Sequence, residues 1–209
     1  MTNPAESPNI DPTNNQKEVL FTNEQFQFLG DFSNALRNTY RYTENGTGGL
    51  NQEEEDSFQT SISRIVEDGF NQSRAQNGPG SETLKLAVAA EGLGVTFNGN
   101  LATDLLDELR QNVLLNDDDK SMLADLSDSS IASRYAGVNP NEIIHNTLKR
   151  TSSMLDQIAR SEQKGIKRDA LKIAILAFSA GITVRSTSYD KGEDLLMESQ
   201  NYIKKPTEI

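Results

Sequence analysis

Residues 171–184 read LKIAILAFSAGITV, the longest nearly unbroken apolar run in an otherwise polar, acidic chain. Wound as a helix, Leu171, Ile173, Ile175, Leu176, Phe178, Ile182 and Val184 point to every side, and only Lys172, Ser179 and Thr183 interrupt them. Such an element needs cover on all faces. A membrane would give it, but a spanning helix takes about 20 apolar residues and a run of 10–14 reads as a buried core helix. The run has cations close to both ends and within it, at Lys167, Arg168, Lys172 and Arg185. The reading adopted is a core or subunit-interface helix over about 169–184, with no membrane partner. A pair of short strands, AILAF and ITV broken at Gly181, is the alternative. Burying the seven large side chains is worth roughly 10–20 kcal/mol gross, most of it offset by conformational entropy.

The rest of the chain is poorly supplied with apolar side chains. Only 35% of its 209 residues are hydrophobic and Trp is absent, so the core is modest and several segments stay polar. There is no Cys, which excludes disulfides, thiolate zinc sites and Cys nucleophiles. No basic-then-apolar leader opens the sequence, so no signal peptide is expected, and the sequons at Asn45 and Asn71 are read as chance. The localisation this leaves is cytoplasmic or virion.

Charge is unevenly placed. Residues 1–133 hold 8 Lys/Arg against 22 Asp/Glu, a net −14; residues 134–185 hold 9 against 4, a net +5; the last 24 are −2. An acidic part and a basic part of one chain can attract each other within a subunit or between copies.

Residues 1–20 are rich in Pro and Asn and form an expected flexible arm. Thr22 and Gln25 have capping-box spacing, with Phe21 and Phe26 as the staple, and Phe26, Leu29, Phe32, Leu36 and Tyr40 form one stripe. Asn51 and Glu54 repeat the box, and Glu53, Glu54, Glu55 and Asp56 crowd the first turn of a second helix, where the helix dipole favours anions. The stretch 71–80 ends in NGPG, a candidate sub-boundary within a helical domain spanning 21–204; residues 205–209 are a tail.

Further along, Ser81 is expected to cap a short helix to about Ala90, with 92–100 a turn region in which GVTF forms a short strand. A helix over Leu101–Leu115 shows Leu101, Leu105, Leu109 and Val113 on one side. The NDDD at 116–119 is not an EF-hand: Met122 stands where the loop needs Gly, and Asp128 where it needs Glu. Asn116 or Asp117 instead caps a short helix to about Leu126, followed by a loop, SDSSIAS. Asn139, Pro140 and Glu142 open a helix to about Lys164, with Gly165 its terminator. Asp190 and Glu193 open a last helix to about Ile203. The fold expected is all-α or mostly α: seven or eight helices in an irregular bundle around the apolar helix at about 169–184, plus the polar N-terminal arm.

Enzyme chemistry finds little support. The one histidine, His145, falls about 100° from the apolar stripe of its helix and is expected to be exposed. No nucleophile elbow, phosphate loop or multi-His site is present. No catalytic residue, metal or cofactor is expected, and the chain is read as not an enzyme. The sharper signal is a basic collar. Lys164, Lys167, Arg168 and Lys172 converge on a helix N-terminus, where cations oppose the dipole and an anionic partner would relieve them. That partner is either the acidic start Glu53–Asp56 of another copy, as an assembly interface, or nucleic-acid phosphate meeting the basic segment 149–185. The function expected is a self-assembling structural or interaction protein, a homo-oligomer whose most concrete form is a viral or phage particle subunit. The alternative is a soluble effector or adaptor whose acidic surface meets a basic protein.

Overall fold

A computed structural model describes residues 19–44, 52–96, 99–135, 140–160 and 165–184. Every regular element among these residues is an α-helix, and none is a strand. In chain order they are α1 (Asn23–Glu44), α2 (Gln52–Ala75), α3 (Ser81–Val95), α4 (Gly99–Gln111), α5 (Asp117–Tyr135), α6 (Pro140–Arg160) and α7 (Ile166–Val184). The protein is all-α. The arm, the tail, Asn139 and the helix expected after Asp190 lie outside the described residues.

The local signals for α1 act as their spacing predicts. The Gln25 amide donates to Thr22 Oγ1 at 3.2 Å, and the Thr22 amide donates to Gln25 Oε1 at 2.9 Å. Two amides that the helix leaves unpaired are thereby satisfied. A second reciprocal box opens α5, where the Asp119 amide donates to Asn116 Oδ1 at 2.8 Å and the Asn116 amide to Asp119 Oδ2 at 3.1 Å. The acidic run at 116–119 is thus a helix start. The stripes follow: Leu29, Phe32 and Leu36 of α1, Ile62, Val66 and Phe70 of α2, and Leu101, Leu105 and Leu109 of α4 are buried in one cluster.

The run at 171–184 is a single helix and not two strands. From Ala170 to Ile182 every residue but the half-buried Lys172 is buried. Its cover is mostly one other helix, α3, which packs against α7, α4, α2 and α1. Helix α3 is the structure's chief departure from expectation. It does not stop at Ala90 but runs to Val95, and Thr96, with φ −71° and ψ 150°, is the first extended residue. GVTF is therefore not a strand within the described residues, Phe97 lying outside them. The cap before Ser81 is Gly80, at φ 80°, with no side-chain hydrogen bond. Gly92 and Gly94 sit inside the helix.

The physical reason is the α3–α7 crossing. A Cβ on Gly94 would meet the Phe178 carbonyl oxygen, and a Cβ on Gly181 would meet the Glu91 carbonyl oxygen. The two backbones touch, so the missing side chains are what permits the contact. A glycine inside a helix costs about 1 kcal/mol against alanine, and burial of thirteen of α3's fifteen residues outweighs it. The core is thus a helix pair, α3 and α7, rather than one central helix.

Two further boundaries differ from the sequence expectation. Helix α4 ends at Gln111 because the buried Asn112 accepts the Leu114 amide at 3.0 Å and donates to the Glu82 carbonyl at 3.0 Å. An Asn that bonds the backbone two residues on makes a turn. Val113, expected on the α4 stripe, is consequently 68% exposed. Helix α5 continues through SDSSIAS to Tyr135: serine is a weak helix former but not a breaker, and neither Gly nor Pro occurs between Asp117 and Tyr135.

Candidate functional site

Among the described residues, each helix of the α3–α7 pair carries a buried side-chain polar contact to a third helix. On α7, Ser179 Oγ lies 2.5 Å from Thr151 Oγ1 of α6, and each hydroxyl also faces a carbonyl one turn back, Ile175 at 2.8 Å and Thr147 at 2.9 Å. Two hydroxyl protons serve three contacts, so two are made at any instant and no oxygen is stranded. On α3, Glu91 Oε2 accepts the Ser33 hydroxyl of α1 at 2.7 Å. Glu91 Oε1 has no hydrogen-bond partner among the described residues.

Glu91 is 2% exposed. Burial pushes its carboxyl from the ordinary 4.5 up to about 7, while the Ser33 hydrogen bond and the Arg37 guanidinium pull the other way. Burial wins because a carboxylate removed from water loses several hydrogen bonds and here regains one from a side chain. The sequence signal was present but unused: LAVAAEGLGV is an apolar run with one acid in it, and a lone acid inside such a run is a buried-acid candidate once the run is known to be helical.

The charged groups singled out from the sequence are distributed as follows. Lys164 lies outside the described residues. Lys167 is exposed, whereas Arg168 and Lys172 are half-buried in the first two turns of α7. Asp169 stands among them, in the first turn, and takes Lys172 Nζ at 3.3 Å. An acid at that position favours the helix dipole, so the collar is a mixed set of charges and not a purely basic one. Glu53, Glu54 and Asp56 are exposed at the start of α2; the Glu55 side chain is outside the described set. Lys149, Arg150 and Arg160 are exposed on α6, as is His145.

No group of three or more His, Asp or Glu among the described residues is placed to hold a metal ion. No helix among them is long and apolar enough to cross a membrane. Set against family models, curated proteins and solved structures, the chain matches none.

Proposed function

We propose that the chain is a non-enzymatic helical interaction protein that assembles with copies of itself, with a viral or phage particle subunit as the most concrete form. The observation that supports this reading is the division of exposed charge. Glu53, Glu54 and Asp56 lie exposed at the start of α2 and Asp117 and Asp118 at the start of α5, whereas on α6 and the start of α7 the exposed Lys149, Arg150, Arg160 and Lys167 outnumber the exposed Glu142 and Asp156. Facing surfaces of opposite sign steer association and fix its register more than they add affinity, and they are screened by salt.

The test is the mass of the particle in solution against ionic strength. Native mass spectrometry or sedimentation is expected to give an oligomer at low salt that dissociates as salt rises. Reversal of the basic face, K149E with K167E, is expected to leave a monomer, and adding E53K with E54K to restore assembly. A strict monomer at high concentration and low salt sinks the reading. Nucleic acid that copurifies and is released by salt would make it a nucleoprotein form. The acidic first 133 residues, net −14, favour a second reading: an effector or adaptor that binds a basic protein, expressed as a monomer that captures a polylysine probe.

A further inference from the structure

The connection from α2 to α3 contains Asn77-Gly78-Pro79-Gly80, and the proposed assembly makes no use of it. Residues 76–79 are all exposed and none is helical. We propose that Asn77–Gly78 is a self-modification site, at which the chain converts its own asparagine to isoaspartate with water as the only co-reactant.

The reaction needs the side-chain carbonyl carbon of Asn77, the backbone nitrogen of the next residue, and room for the two to meet. Gly78 meets the last two needs. Its φ of +91° is open to glycine and rarely to other residues, and a Cβ built there would meet nothing within 4 Å. Its amide donates no hydrogen bond among the described residues, so a solvent base can reach the proton. The Asn77 side chain is held by a single long hydrogen bond among the described residues, Nδ2 to the Ala75 carbonyl at 3.4 Å. Two other asparagines are held more closely. The buried Asn112 accepts the Leu114 amide and donates to the Glu82 carbonyl, both at 3.0 Å, and Asn116 Oδ1 accepts the Asp119 amide at 2.8 Å. Asn34, Asn38 and Asn71 lie inside α1 and α2, where the next amide is committed to the helix ladder. Every described asparagine except Asn77 is followed by a residue with a Cβ, which crowds the attacking nitrogen.

The Gly78 nitrogen gives its proton to a solvent base and attacks Asn77 Cγ. The new N–Cγ bond closes a cyclic imide, the Cγ–Nδ2 bond breaks, and Nδ2 takes a proton from solvent and leaves as ammonia. Water then opens the imide. Attack at the main-chain carbonyl gives isoaspartate, with the chain running through the former side chain, and attack at Cγ gives aspartate. Overall one water is consumed and one ammonia released, with no oxidation or reduction. Either product replaces a neutral amide by a carboxylate, which adds one negative charge to the acidic first 133 residues.

Incubation of the full chain at neutral pH, followed by trypsin and mass spectrometry, tests this. Cleavage after Arg74 and Lys85 releases residues 75–85, in which Asn77 is the only asparagine, and fragmentation distinguishes isoaspartate from aspartate. Asn77 is expected to convert ahead of every other described asparagine, with isoaspartate among the products. An exposed loop opens at almost no free-energy cost, so folded and urea-unfolded chains are expected to convert it at rates within about tenfold of each other. A larger slowing in the folded chain overturns the proposal, because the fold then shields the site. Aspartate without isoaspartate overturns it too, since the imide gives both, as does earlier conversion at another described asparagine.

Discussion

Helix α3 and α7 beyond its first turn are both largely buried, yet they bring different polar groups into the core. Ser179 of α7 is neutral at every pH and has a carbonyl of its own helix within 2.8 Å and the Thr151 hydroxyl within 2.5 Å. Glu91 of α3 has a single side-chain hydrogen bond among the described residues, from another helix, and a second oxygen with none. A hydroxyl satisfies itself on the helix that carries it, whereas a carboxyl depends on what the tertiary structure supplies. The first contact therefore ties α7 to α6 through groups that do not titrate, and the second ties α1 to α3 through one that does.

The largest expected effect tests the feature the two helices share. G181V places a branched side chain against the Glu91 carbonyl, and it is expected to cost about 3 kcal/mol or more and to blunt the cooperative transition in urea. A variant as stable as the parent would mean that the two backbones do not meet there. The next effect separates the helices. The raised carboxyl affinity of Glu91 makes the folded state bind more protons than the unfolded one. Stability is accordingly expected to fall as pH rises from about 4.5 through about 7, by about 3 kcal/mol from this group. In E91Q this contribution is absent, so the difference between variant and parent is expected to shift in favour of the variant over that window. Denaturant midpoints at pH 5 and pH 8 measure both slopes.

Two smaller effects of opposite sign sharpen the contrast. S179A removes a satisfied hydroxyl from α7 and is expected to cost about 1 kcal/mol at every pH. T83V removes from α3 a buried hydroxyl with no hydrogen-bond partner among the described residues, and it is expected to leave stability unchanged or raise it by up to about 1 kcal/mol. If S179A proved pH-dependent, or T83V costly, the division between a self-satisfied and a dependent helix would fail.

Much of the fold was legible in short stretches. The box at Thr22/Gln25, a helix cap at Asn116 or Asp117 and the stripes of α1, α2 and α4 depend on residues a turn apart, and chain-local geometry is enough to read them; that Asp119 closes the box on Asn116 came from the structure. The surface charges Glu53, Glu54, Asp56 and Lys167 were legible for the same reason: they lie on the outer faces of amphipathic or acidic turns. The buried acid was not. Glycines at 92 and 94 ordinarily weaken a helix, so local signals end the helix at about Ala90 and begin a turn region at 92, and Glu91 falls between the two.

By itself the sequence determined that the chain is helical, where most helices begin, and that 171–184 must be covered, because caps, periodicity and an all-round apolar run are local properties. Only the tertiary structure decided what covers it. The partner is α3, whose glycines serve the contact with α7 instead of ending the helix. That contact draws Glu91 into the core beside Ser33. The fate of an ionisable group rests on whether remote segments exclude water from it, and no window of neighbouring residues carries that information.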